Sequence, residues 1–233
     1  MDIRISGQLE GAKTAKGLAV IIDVFRAFTV ECFLAEEGVA KIIPMGNTDE
    51  CLELRAKHPD YYLVGERKGI KLPDFDSGNS PSFLTTSVEL KGRTIVHNTS
   101  AGTQGIMYAS KSASEVLGAS LVNADAVARY IKMRNPDVVT LVCMGLNGTE
   151  ESAEDTLCAK YIKAKLLGEE LNIHKEIADL KNTAGSKFFD KARRSAFPEP
   201  DFFMCLVPDI FNFVLKANTS IYPFEMEKIE VPR

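Results

Sequence analysis

The amino-acid sequence predicts an α/β protein, a three-layer α/β/α sandwich on a mostly parallel or mixed sheet. Three observations carry that expectation. Residues 17–23 and 138–143 are near-continuous apolar runs of strand length, as strands of a parallel sheet require when helices cover both faces. Strand-like and helix-like segments alternate along most of the chain, the order of successive βα units. The 233 residues are 45% hydrophobic and 26% charged, the balance of an ordinary globular protein long enough to bury a core without staples.

The elements follow in order. After the strand at 17–23, residues 29–37 read as a helix stopped by Gly38, a good residue beyond a helix C-terminus. Residues 41–45 form the next strand, and Asn47-Thr-Asp-Glu50 has the form of a capping box opening a helix to about Lys57. Strands are expected at 61–64 and 93–97, the latter leading through a Gly-containing turn into a helix. Asn123 is placed to cap a helix whose Val127, Tyr130 and Ile131 share a face and which ends near Pro136. The strand at 138–143 precedes a helix over 154–167 with Leu157, Tyr161 and Ala164 on one side. From about residue 170 the rhythm breaks into two short helical pieces and an apolar, proline-punctuated tail. We expect one domain over 1–233, with 170–233 an extension packed on the core. Phe202, Phe203, Phe211 and Phe213 in that tail are expected to pack internally, a homo-oligomer interface being the other use for them.

Charge and cysteine usage narrow the function. Twenty-eight Lys+Arg against 32 Asp+Glu give a net charge of −4, and no basic stripe suited to nucleic acid is evident. The tightest basic cluster, Lys187, Lys191, Arg193 and Arg194, reads as a solvated helix face. No apolar run is long enough for a membrane span, and the first six residues lack the apolar core of a signal peptide. The five cysteines form no CxxC pair and the three histidines are scattered, which argues against a zinc site or a disulfide framework and for the cytoplasm.

In open α/β sheets ligands bind beyond the carboxyl ends of the strands, and four such places carry chemistry. Asp23-Val-Phe-Arg26 pairs a carboxylate suited to a metal or to nucleophilic attack with a guanidinium suited to phosphate; a closed turn with a surface arginine would also account for it. Gly65-Glu66-Arg67-Lys68-Gly69 repeats acid beside base, and the loop through Phe75-Asp76-Ser77-Gly78-Asn79-Ser80-Pro81 can present N–H groups to an anion or serve as an ordinary surface loop. Asn98-Thr-Ser-Ala-Gly102-Thr103-Gln-Gly105 puts small residues at a strand-to-helix turn, where a phosphate binds readily, though it matches neither a Walker A loop nor GxGxxG. Gly145-Leu-Asn-Gly148 leads to Glu154 and Asp155, which taken singly would be helix-dipole partners. Carboxylates, arginines, small hydroxyls and glycine turns together suit a Mg²⁺ ion and a phosphorylated, acidic substrate. Phosphate monoester hydrolysis needs up to about 10²¹-fold acceleration, roughly 29 kcal/mol, whereas one positioned donor supplies about 3–4 kcal/mol. Such chemistry needs several groups converging from different loops.

The motifs Asp23-x-x-Arg26, Gly65-Glu66-Arg67-x-Gly69, Phe75-Asp76-x-Gly78-Asn79-Ser80-Pro81, Gly102-Thr103, Asn123-Ala124 and Glu154-Asp155, in this order and spacing, resemble the 2-phosphosulfolactate phosphatase family. The resemblance runs from about residue 17 to 168, with a weaker echo at 205–209. It implies an α/β/α fold and a Mg²⁺-dependent phosphatase whose founding reaction, in coenzyme M biosynthesis, converts 2-phosphosulfolactate to 3-sulfolactate and phosphate. Carried onto this chain, it makes Asp23, Glu154 and Asp155 the catalytic group and Asp23, Glu66 and Asp155 the metal ligands. Arg26, Arg67, Ser100, Gly102 and Thr103 would bind phosphate, with Asn79 and Ser80 shaping the pocket. One departure bears on substrate: where the family commonly reads Thr-Thr-Asn-Gly-Thr-Arg, this chain has Thr99-Ser-Ala-Gly-Thr-Gln104, lacking an amide and a cation. The expected substrate is therefore a small anionic phosphoester, 2-phosphosulfolactate or a relative. A non-catalytic protein binding an acidic metabolite is the alternative.

Overall fold

The computed structural model describes residues 1–233. Ten strands, β1 (Asp2–Gly7), β2 (Leu18–Ile22), β3 (Lys41–Pro44), β4 (Tyr62–Arg67), β5 (Ile70–Lys71), β6 (Thr94–Asn98), β7 (Glu115–Ala119), β8 (Val138–Cys143), β9 (Phe213–Asn218) and β10 (Glu225–Glu230), divide between two sheets. The larger has the order β1-β8-β2-β7-β9-β10 and the smaller β3-β6-β4-β5. β1, β8, β2 and β7 run parallel, as do β3, β6 and β4; β9, β10 and β5 are antiparallel additions. The α/β class and the mostly parallel, mixed pairing follow the sequence expectation. The division of the strands between two sheets is new.

Nine helices connect the strands: α1 (Gln8–Lys13), α2 (Ala27–Glu36), α3 (Thr48–Lys57), α4 (Pro81–Ser87), α5 (Gly102–Ala109), α6 (Ala124–Arg134), α7 (Ala153–Leu167), α8 (His174–Leu180) and α9 (Glu199–Leu206). The period-2 alternation of strand side chains sorts them into layers. Leu18, Val20 and Ile22 of β2 join α6, α7 and α9 in one core cluster, whereas Ala19 and Ile21 face α2 and α5 in a second. The same alternation on the small sheet sends Ile42, Val64 and Ile95 into that second core and Ile43, Leu63 and Val96 to a third, against α3. The second core thus lies between the sheets, and the parallel strands of both end near one cleft.

Several elements carry corrections. Asn47 caps α3, its Oδ1 accepting from the Asp49 N–H at 2.8 Å, but Glu50 takes the Tyr222 hydroxyl instead of returning to the cap. Asn123 stands at the head of α6, yet its Oδ1 accepts from the Ser120 N–H at 3.0 Å and closes the preceding short turn. β7 gave no clear strand signal because Gly118 interrupts it, and the glycine is there for packing: a Cβ would lie 2.4 Å from the Phe28 ring. β9 and β10 build the edge of the large sheet through β7, so the C-terminal tail is part of the sheet. Phe202, Phe211 and Phe213 are buried in this chain's own core, and Phe203 is exposed. No helix is long and apolar enough to cross a membrane, and all five cysteines are free and buried.

Candidate active site

Asp23 follows β2 directly, because an apolar strand buried on both faces must end where the chain meets a polar cleft. Its Oδ1 accepts the Ala27 N–H and its Oδ2 the Gly102 N–H, both at 3.1 Å. Asp155, in the first turn of α7, accepts the Val24 N–H at Oδ1 and the Gly145 N–H at Oδ2, each at 2.8 Å. One carboxylate therefore ties the end of β2 to α5, and the other ties it to the loop after β8. Glu66, near the end of β4, receives the Ser100 N–H at 2.7 Å, the Gly69 N–H at 2.6 Å and the Ser100 hydroxyl at 3.1 Å. The Gly69 bond depends on the two-residue β4–β5 hairpin, in which Lys68 (φ 53°) and Gly69 (φ 80°) both take positive φ.

These three carboxylates and Glu154 line one cleft of about 630 Å³, together with Arg26, Lys68, Asn79, Ser100, Lys187 and Arg193. Asp23, Glu66, Glu154 and Asp155 are each less than 10% exposed. Burial, then the neighbouring Asp155 carboxylate, push the Asp23 carboxyl well above its ordinary range. The same two causes bring Glu154 up to about 7. Burial also raises Asp155, opposed by the N–H groups of Val24 and Gly145. Burial lowers the Lys187 ammonium, with Glu154 pulling the other way.

Arg26 reaches the cleft as a braced cation. Its Nη1 donates to Asp201 Oδ2 at 2.7 Å and its Nη2 to the Gly69 carbonyl at 3.3 Å, and the guanidinium lies 5.0 Å from the centre of the Phe197 ring. Asp201 in turn accepts the Ser80 hydroxyl at 2.9 Å and the Ser82 N–H at 3.0 Å. Two of the five guanidinium donors are occupied this way, leaving others for a ligand.

Other expected site residues stand elsewhere. Arg67 turns away from the cleft: it donates to the Glu66 carbonyl at 2.8 Å and to the Thr48 hydroxyl at 3.1 Å. Ser80 caps α4 and faces a neighbouring cavity. Thr103 is fully buried and exchanges hydrogen bonds with Thr99. The N–H groups of Ser100 and Gly102, expected to hold phosphate, instead hold Glu66 and Asp23. Ala101 lines the cleft, and Gln104 donates back to the Ser100 carbonyl at 3.3 Å. The basic cluster expected on a solvated helix is not helical in that sense: Lys187 and Arg193 sit in two short 3-10 turns and line the cleft. The sequence leaves Lys187 and Arg193 on a solvated face and gives no role to Phe197 and Asp201, because nothing local in 184–201 ties it to the strand ends; only the unusual density of Phe, Lys and Arg there is readable.

The donor set suits a divalent cation. Glu154 Oε2 is buried without a partner, and each oxygen of Asp23 and Asp155 accepts one N–H, leaving a lone pair. Carboxylates crowded until they resist ionising are relieved by positive charge. No three His, Cys, Asp or Glu side chains are already grouped as a cage. Mg²⁺ does not require one, since it commonly takes one or two carboxylates and fills its shell with water and substrate phosphate.

Comparison with known proteins places residues 4–218 on the family model described as 2-phosphosulpholactate phosphatase. Similar proteins include a probable 2-phosphosulfolactate phosphatase of Clostridium perfringens, 33% identical over 189 residues, which are 79% of this chain and 74% of the relative. A protein of the same name from Clostridium acetobutylicum is 36% identical over 70% of this chain and 68% of its own length. A third, from Deinococcus radiodurans, is 37% identical over 64% of this chain and 62% of its own.

Proposed function

The chain belongs to the 2-phosphosulfolactate phosphatase family, and from that premise we propose that it hydrolyses a small, doubly anionic phosphate monoester with the help of Mg²⁺. One observation carries the reading: four buried carboxylates from three chain segments share a cleft with Arg26, Lys187 and Arg193. Acids alone would repel a phosphoester and bases alone would only bind it.

Hydrolysis forms a bond from a water oxygen to phosphorus and breaks the bond from phosphorus to the ester oxygen. One proton must leave the water and one must reach the departing alkoxide. Glu154, raised by burial and by the Asp155 carboxylate, is the group suited to that transfer. Asp23 and Asp155 are fixed by backbone N–H groups and would hold the cation, with Glu66 bracing the Ser100 turn beside them. When bound, Mg²⁺ would neutralise phosphoryl charge. Arg26 would take phosphate oxygens, and Lys187 and Arg193 would meet the second anion. That assignment fits the substituted 99–104 turn, whose missing cation is matched by two from another segment. We read the substrate as 2-phosphosulfolactate or a close carboxylated or sulfonated analogue.

The test is phosphate release from a panel of such esters with Mg²⁺ and then with EDTA. Turnover should appear on a doubly anionic ester and vanish with the chelator. Asp23→Asn should lower it at least about 10³-fold, the scale of losing an electrostatic group in the transition state. Saturable phosphate binding without turnover of any ester would replace this reading with that of a binding protein.

A further inference from the structure

Beneath the cleft lies a polar chain that the reaction described above does not use. Glu31, in the middle of α2, and His97, in β6, are both fully buried. Glu31 Oε1 is 2.8 Å from His97 Nδ1, and His97 Nε2 is 2.9 Å from Asn79 Oδ1. Glu31 Oε2 has no partner, so the imidazole is the sole group compensating this carboxylate. A buried carboxylate so poorly solvated demands a charged or donating neighbour. Nε2 faces the Asn79 carbonyl oxygen, which it satisfies only by carrying a hydrogen, whereas the Nδ1–Oε1 contact is closed by a hydrogen on either atom.

The consequence appears at the other end. Asn79 lines both the cleft and the adjoining cavity. With its oxygen held by His97, its Nδ2 has no partner within the protein and is not among the buried unsatisfied atoms. We propose that Glu31 and His97 are positioning residues that fix the Asn79 amide so that its NH₂, and not its carbonyl, faces the anionic substrate. This rests on the cleft being an anion-ester site. An unbraced asparagine could rotate its amide and present a repelling oxygen; an imidazole with hydrogen on Nε2 forbids that orientation. Asn79 then supplies the donor that the substituted 99–104 turn does not.

The test uses the full chain with inorganic phosphate as probe. Nitrogen-15 spectra of the wild type, which has three histidines, should show hydrogen on Nε2 of the His97 ring; assignment uses His97→Gln. Asn79→Asp keeps the acceptor for His97 but turns a carboxylate oxygen to the cleft, and should weaken phosphate binding about 100-fold. His97→Leu should weaken it about 10-fold, whereas His97→Gln, whose amide can still donate to Asn79, should stay within about 3-fold, as expected for losing or keeping one hydrogen bond to a charged group. A His97 ring with no hydrogen on Nε2, or Asn79→Asp binding phosphate like the wild type, overturns the proposal. The spectrum and the Asn79→Asp isotherm decide the matter if His97→Leu does not fold. Phosphate binding with hydrogen on Nε2 of His97, but no ester turnover, would sustain this orientation and remove only the phosphatase reading.

Discussion

At Glu154 the site's demands and the fold's demands pull apart. A carboxyl raised to about 7 keeps in the folded state a proton that the unfolded chain loses near pH 4.3. Its stabilising contribution is therefore fully present below about pH 4.3 and is lost as pH rises through 7. The gap amounts to at most roughly 4 kcal/mol. Glu154→Gln removes the ionisation, so the variant should gain about 1–3 kcal/mol over wild type at pH 8 and almost nothing at pH 4.5. Urea unfolding of the metal-free protein at the two pH values measures this, and an equal change at both would exclude the mechanism. Activity should fall about 10²–10⁴-fold, the usual worth of a positioned proton-transfer group. Asp23 and Asp155 were readable in the sequence because each stands where an apolar strand or a helix start meets the sheet's carboxyl edge. The raised Glu154 was not, since burial and the charge of Asp155 are properties of the packed cleft.

At the scale of elements, the turn from β6 into α5 holds the carboxylates and not, by itself, the substrate. Gly102 has no room for a side chain: a Cβ would lie 2.7 Å from Ala27 Cβ and 3.0 Å from Asp23 Oδ2. Gly102→Ala should therefore displace Asp23 from its N–H donor, lowering turnover at least about 10²-fold while costing about 1–3 kcal/mol of stability. Near wild-type turnover would show that the contact relaxes harmlessly. The Gly-rich turn is legible in the sequence as a strand-to-helix junction. What its N–H groups grip is not, because Asp23 lies 79 residues away in sequence. Arg67 shows the same limit: the motif places a base beside an acid, but successive residues of a strand point to opposite faces, and Glu66 alone faces the cleft.

Across the whole molecule, the C-terminal third completes the cleft. Arg26, near β2, and Asp201, in α9, form a pair with side chains 3% and 0% exposed. Asp201→Ala leaves a guanidinium buried without its counter-charge and should cost about 3–5 kcal/mol. The double variant Arg26→Met with Asp201→Leu should recover most of that loss in thermal unfolding and yet remain inactive. A double variant as unstable as Asp201→Ala would show that Asp201 acts chiefly through Ser80 and Ser82, whose donors it also accepts. By itself the sequence determined the α/β class, the main parallel strands and the acids at their ends, because side-chain periodicity and the polarity of strand ends are local quantities. Tertiary structure alone decided that the strands form two sheets, that 213–230 joins the larger one, and that Lys187, Arg193 and Asp201 serve the same cleft as Asp23. Each of these depends on contacts between segments far apart in the chain, whose energy is gained only when both surfaces are buried together.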